Sequence, residues 1–241
     1  MTSIPIVSTV SKPGVEGRKK SFDTLQAGRA LAAIFVVFFH AHVFFIPERL
    51  YPGQTISRVF NIGYSGVEFF FVLSGFIMIL VHRRDIGPRG RALRFMKKRF
   101  IRIVPFYWVA TLALAVLLLA DRPASADRLS LERLLYSILL IPMPDGSALL
   151  VGAAWTLSHE LLFYLVFCVL ILAPRIGVGM FILWFAAICL QFFDQPLSYP
   201  LDFFFAPYNL LFGMGMISAF AFTRVPLAVA IFASLIGVAL F

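Results

Sequence analysis

Charged residues are scarce in this chain. Asp, Glu, Lys and Arg make up 14% of its 241 residues, while apolar types make up 61%. Soluble domains are about half apolar and about a quarter charged, so this composition excludes an ordinary water-exposed globular surface. Cysteine is nearly missing as well. Cys168 and Cys189 both sit inside apolar runs, which argues against a disulfide framework and against a zinc or other metal site. Acidic residues number 12 against 21 Lys and Arg, for a net charge of +9. In a soluble chain that excess would suggest nucleic acid. Here the basic residues crowd into a few short loops, the distribution that orients a protein in a lipid bilayer. No internal repeat is evident, so nothing suggests an inverted-repeat transporter. The first apolar run is too long for a signal peptide and lacks a small-residue cleavage site.

What the chain does contain is a series of apolar runs long enough to cross a bilayer. At ~1.5 Å per residue, about 20 helical residues cross a hydrocarbon core of about 30 Å. The runs cover residues 25–46, 62–81, 103–120, 155–173, 179–193 and 203–222, with a seventh opening at Pro226. The stretch LSLERLLYSILLI inside segment 121–150 is too short to span with certainty and reads as an interfacial or re-entrant helix. The fold class that follows is all-α, a polytopic membrane helical bundle of seven or eight spans. Segment 82–102 holds nine Lys or Arg and a single acid, Asp85. The positive-inside rule places it in the cytoplasm. The N-terminal tail, residues 1–24, carries Lys12, Arg18, Lys19 and Lys20 and reads as a disordered cytoplasmic segment ahead of a transmembrane domain at 25–241. With Arg29 set aside, this topology puts fifteen basic residues inside and five outside. Phe241 falls within an apolar run that has no closing polar tail, which reads as a fragment or a naturally short form.

The first run is the one that carries unexpected chemistry. LQAGRALAAIFVVFFHAHVFFI holds an arginine and two histidines. Arg29 and His40 are eleven positions apart, which brings them to within about 20° on a helix and separates them by roughly 16 Å along it. Ionisable groups at membrane depth mark sites or pathways unless they merely snorkel or bond a neighbouring helix. Glu68 and Glu160 lie in other spans. Measured from each span's centre, His40, Glu68 and Glu160 fall roughly 5 to 7 Å to the outer side and Arg29 about 10 Å to the inner side. Histidine accepts and donates protons near neutral pH, and a carboxylate can orient it. Each glutamate can also be read as a packing partner of an arginine or a backbone donor.

Three further segments contribute. GVEFFFVLSGF places Gly66, Ser74 and Gly75 around Glu68, where small residues permit close helix approach or passage of a chain. RFIRIVPFYW puts Arg99 and Arg102 on one face just before Pro105, a pair suited either to clasping phosphates or to anchoring the helix end. His159 adjoins Glu160 but points about 100° away on a helix. His42 and His82, at span ends, read as solvated interfacial histidines.

Taken in order, these segments resemble acyltransferase family 3, the membrane O-acyltransferases, and within it the exopolysaccharide-production type. The resemblance rests on Arg29 with His40, GVEFFFVLSGFIM, KKRFIRIVPFYW, WTLSHELLFY and PYNLLFGMGM, which together cover nearly the whole chain. It implies a multi-pass enzyme of a bacterial inner membrane, with its N-terminus in the cytoplasm. Such an enzyme takes an acyl group from cytoplasmic acyl-CoA, commonly acetyl-CoA, and passes it to a carbohydrate hydroxyl, with no metal and no nucleic acid involved. Carried over to this sequence, the resemblance makes His40 catalytic with Arg29 and Glu160, assigns Arg99, Arg102 and Arg29 to the acyl donor, and leaves Glu68, Ser74, Trp155 and His159 as substrate-side or supporting residues. Family members usually have roughly ten spans, more than are read here. The rival from another class is a proton-coupled transporter or flippase with a His40, Glu68 and Glu160 relay. Dependence on acyl-CoA separates the two.

Overall fold

Apolar runs of about 20 residues satisfy their backbone in lipid by forming helices, the length being about twice what a barrel strand needs. A computed structural model describes residues 13–43, 58–88, 90–120, 129–193, 197–222, 224–226 and 229, and among these every regular element is helical. Six helices among them are long and apolar enough to cross a membrane, at Leu25–Val43, Asn61–His82, Arg91–Ala120, Gly152–Leu172, Pro174–Gln191 and Leu201–Ala221. The apolar run from Pro226 lies outside the described residues apart from Pro226 and Val229, as do residues 1–12 of the tail and the loop at 47–57.

The chain divides into two compact units, residues 1–70 and 71–241. In the first unit, α1 (Pro13–His40) starts on a proline, whose fixed φ and missing N–H suit a first helical position. Residues 13–24 are therefore helical, not the disordered tail that their polarity suggests. The helix widens into a π-helical turn at 41–43. A 3₁₀ segment (Arg58–Tyr64) leads into α2 (Ser65–His82), and two glycines press this entry against α1. A Cβ on Gly63 would lie 2.2 Å from the Phe35 carbonyl oxygen, and one on Gly66 would lie 2.8 Å from that of Ala32.

In the second unit, the rest of α2 crosses α8 (Tyr208–Ala221) through a second pair of glycines. A Cβ on Gly75 would stand 2.0 Å from the Phe212 carbonyl oxygen, and one on Gly215 only 1.8 Å from that of Val72. This is the small-residue contact that lets helix backbones meet in lipid, where apolar surface alone gives little drive for association. Phe212 then stacks on Phe163 of α5 (Trp155–Leu172), with ring centroids 4.4 Å apart. A single residue, Ala173, separates α5 from α6 (Pro174–Gln191), and Gly177 makes room for the Leu170 backbone at that turn. Leu201–Phe204 forms the short α7.

The third span departs from the sequence reading. α3 (Arg91–Ala120) starts a full three turns before the apolar run, so much of the basic segment at 82–102 is helix and not loop. Ala, Leu, Lys and Arg all favour helix, and nothing at 91–102 stops it. Pro105 lies inside α3. The exposed apolar residues of α3, Phe106 at 81% for example, form the surface that a lipid-facing helix presents. α4 (Leu131–Leu139) is capped by Ser130, whose side chain accepts from the Arg133 N–H, and it ends at a left-handed Leu140. At nine residues it does not cross a bilayer. It is tied to α3 instead. The Tyr107 hydroxyl donates to the Ser137 carbonyl at 2.8 Å and the Trp108 indole donates to the Ile138 carbonyl at 2.9 Å.

Candidate active site

In the first unit, His40 closes α1. Its Nδ1 lies 2.8 Å from the Val36 carbonyl oxygen one turn back. A carbonyl only accepts, so this geometry assigns the proton to Nδ1 and leaves the lone pair on Nε2. That is the tautomer a base or an acyl carrier needs. The ring is exposed, sits edge-on to Phe39, and stands where α-helix gives way to a π-helical turn, a feature frequent at functional sites. Arg29 is half-buried on the same helix. Glu68 is half-buried in the first turn of α2, where exposed backbone N–H groups favour a carboxylate.

In the second unit, a run of polar side chains links three elements through an apolar interior. The Ser74 hydroxyl of α2 donates to Glu160 Oε1 on α5 at 3.3 Å, and the Tyr164 hydroxyl, one turn along α5, donates to the same oxygen. The Arg99 guanidinium of α3 lies 5.4 Å from the centre of the Tyr164 ring and 5.6 Å from that of Phe95, close enough for both ring faces to hold the cation. Arg99 Nη2 donates to His82 Nε2 at 2.9 Å. His82 Nδ1 in turn meets Asp85 Oδ2 at 2.8 Å, and Asp85 Oδ1 takes Arg91 at 2.8 Å. Arg99 is 8% exposed and His82 likewise 8%, whereas Arg91 is exposed and Glu160 half-buried, so the run leads from solvent through a buried Arg99–His82 pair to a half-buried carboxylate. The hydrogen bond from His82 holds the Asp85 carboxyl below its ordinary range; burial opposes this and Arg91 adds to it.

His159 belongs to a different environment. Its Nδ1 is 3.1 Å from Asn209 Oδ1, and the Asn209 amide donates to the carbonyls of Phe203 and Phe204 at 3.2 and 3.1 Å. Both groups are buried. Rings of Phe71, Trp155, Phe203 and Tyr208 surround the imidazole, the nearest being Phe203 at 4.6 Å. Adjacent residues on one helix, His159 and Glu160 thus serve two separate clusters.

The sequence therefore names Ser74 and Glu160 at one end of this network and Arg99 within it, but neither Tyr164 nor the end formed by His82, Asp85 and Arg91. Ser74, Glu160 and Arg99 come together around Tyr164, and Trp155 and His159 come together in the aromatic box. Arg102 does not join Arg99: it is exposed on α3. His82, read as a solvated interfacial histidine, is buried and paired instead, because the turn after α2 folds Asp85 back onto it and α3 begins early enough to bring Phe95 and Arg99 against its ring. Tyr164 and Asn209 were also missed as individual residues. The signals available were the four-residue spacing of Tyr164 from Glu160 and the solitary amide of Asn209 in an apolar run. Among the described residues no group of three or more His, Cys, Asp or Glu is placed to hold a metal.

Comparison with known proteins gives a consistent picture. A family model described as an acyltransferase domain matches residues 22–241. A stretch of 130 residues is 35% identical to the exopolysaccharide production protein ExoZ of Rhizobium meliloti (strain 1021), covering 52% of this chain and 39% of that protein. Another of 161 residues is 29% identical to protein 2 in the picA locus of Rhizobium radiobacter, covering 58% of this chain and 77% of that protein. The matched part thus spans about two fifths of the length of ExoZ. No solved structure matches the chain.

Proposed function

The chain belongs to acyltransferase family 3, and on that premise we propose that it is a membrane O-acyltransferase. It moves an acyl group, acetyl by preference, from cytoplasmic acyl-CoA to a hydroxyl of an exported polysaccharide. The N-terminus and the basic start of α3 face the cytoplasm of a bacterium, whose inner membrane holds the protein. The observation that carries this reading is Arg99. A guanidinium held at 8% exposure by two aromatic faces and a histidine is a costly feature in an apolar interior. Its cost is understandable if an anionic group of the donor docks there. A proton-coupled transporter has no use for such a cation.

The chemistry assigned to the protein is proton transfer and charge stabilisation. His40 Nε2 takes the proton of the acceptor hydroxyl as its oxygen attacks the thioester carbonyl. The new C–O ester bond forms as the C–S bond breaks, and the CoA thiolate leaves, taking the proton back from His40 to become free thiol and restore the neutral ring. Arg29, Arg99 and Arg102 balance the phosphate charge of the donor. Glu160, fixed by Ser74 and Tyr164, supplies the negative charge opposite Arg99, with Glu68, Trp155 and His159 in support. Labelled acetyl-CoA supplied to membranes that carry the wild type or His40→Ala tests this. Label should reach the surface polysaccharide with the wild type alone, and transfer retained in the folded variant refutes the role of His40.

A further inference from the structure

Nothing in acyl transfer calls for a histidine behind a phosphate-binding arginine, yet His82 occupies that place. It is the last residue of α2, and the following turn closes tightly, with the Asp85 N–H donating to the His82 carbonyl at 2.8 Å. The ring is buried edge-on to Phe95 at 5.0 Å and near Phe167 at 6.5 Å. An arginine that served only to anchor a helix end at the membrane surface would reach for water, not for an imidazole.

The proton positions follow from the partners. Arg99 has donors and no acceptor, so the imidazole nitrogen facing it, Nε2, carries a lone pair. Asp85 Oδ2 accepts from Nδ1, and Arg91 occupies Asp85 Oδ1. His82 is therefore a neutral spacer, a donor on one side and an acceptor on the other. A second proton would land on Nε2, set two N–H groups against each other across 2.9 Å, and place two cations in contact within an apolar layer. The charged groups around the ring are Asp85 from the turn, Arg99 and Lys98 from α3, and Arg91 through Asp85. From α5 it meets Phe167, while Tyr164 reaches it only through Arg99.

We propose that His82 is a positioning residue for the acyl donor. Held by Asp85, its neutral ring fixes the Arg99 guanidinium and leaves the other N–H groups of that arginine to an anionic donor, and protonation of His82 releases Arg99. The proposal rests on the donor role given to Arg99 above. It makes donor affinity, and not the chemical step, the quantity that falls when the cytoplasmic side acidifies.

The test uses the full chain in lipid nanodiscs, with KM for acetyl-CoA and kcat followed between about pH 5 and 8. His82→Gln keeps an acceptor for Arg99 and a donor for Asp85 but does not titrate. It should match the wild-type KM at neutral pH and remain flat on acidification, where the wild-type KM rises about tenfold. His82→Ala should show KM raised about tenfold throughout, the size expected for one lost hydrogen bond to a charged group, with kcat within about twofold. Wild-type acid dependence persisting in His82→Gln, or a loss in kcat at constant KM in His82→Ala, overturns the proposal. A second measurement does not involve the donor. In ¹⁵N-histidine spectra of the wild type, the resonance that disappears in His82→Gln should report a proton on Nδ1 at neutral pH, and a proton on Nε2 or a charged ring overturns the assignment. If the wild type neither binds nor consumes acetyl-CoA, the donor reading fails, and the spectra alone decide whether His82 holds Arg99.

Discussion

His40 in the first unit and His82 in the second have the same tautomer for opposite ends. Each gives its Nδ1 proton to an oxygen close by in sequence, the Val36 carbonyl for His40 and the Asp85 carboxylate for His82. His40 makes this bond inside its own helix, and the proposed role as base falls to its Nε2. His82 is buried and Arg99 takes its Nε2, so the ring is structural wiring for a cation. His159 is likewise buried and turns its Nδ1 to a neutral amide oxygen in place of the carboxylate. The residue type is uninformative by itself; what the acceptor nitrogen faces decides the role.

The sharpest way to break this comparison is to delete the ring at His40. His40→Ala should lower acetyl transfer by about 10²–10⁴-fold, the range for a general base, with the thermal midpoint of the solubilised protein unchanged. A smaller loss, or a large fall in midpoint, would make His40 a packing residue like His159. Next in size is Gly215→Ala. The new Cβ meets the Val72 carbonyl oxygen at 1.8 Å and the Phe76 nitrogen at 2.8 Å. Both are backbone atoms, so α2 and α8 must part. The variant should lose about 3 kcal/mol or more, seen as loss of the monodisperse peak in size-exclusion chromatography. Wild-type behaviour would mean that the two helices do not cross at these glycines. Asn209→Ala should cost about 1–3 kcal/mol, because it strands the buried His159 N–H, and it should leave KM for acetyl-CoA alone. A change in that KM would tie the aromatic box to the donor.

The spans were legible because their signal is length and hydropathy, which backbone satisfaction in lipid turns directly into helix. Helix ends were not legible in the same way. α1 and α3 both extend into polar sequence that looked like tail and loop; at 91–102 the Lys, Arg, Ala and Leu residues favour helix beyond the lipid, whereas 13–24, with two glycines and no alanine, carries no such propensity signal. Of the candidate residues, the ionisable ones inside apolar runs were visible at once, Glu160 and His40 above all. Arg99 was visible as one of a pair, but its burial was not: that depends on Phe95 and Tyr164 presenting ring faces from two helices, and no spacing on α3 encodes it. His82 and Asp85 were hidden for a related reason. At the end of a span next to nine basic residues, a histidine and a lone acid look like a solvated boundary until the turn brings them together.

The smallest effect expected concerns that lone acid. Asp85 is held below the ordinary carboxylate range, first by the hydrogen bond from His82. A carboxyl with a lower pKa when folded than when unfolded stabilises the folded state above its unfolded value, about 3.9, and the contribution disappears as pH falls through the folded value. At neutral pH the contribution is therefore fully present, and acid removes it. Because the Asp85 side chain is 33% exposed and that of Arg91 43%, solvent screens much of the charge interaction. Asp85→Asn keeps an oxygen for the His82 N–H and loses only the charge. Its thermal midpoint should sit slightly below that of the wild type at neutral pH, and the two curves should converge below about pH 4. A gap that stays constant down to about pH 3 would mean that the charge on Asp85 does not act through these bonds. His82 would then be held by burial among Phe95 and Phe167, and its likeness to His159 would be complete.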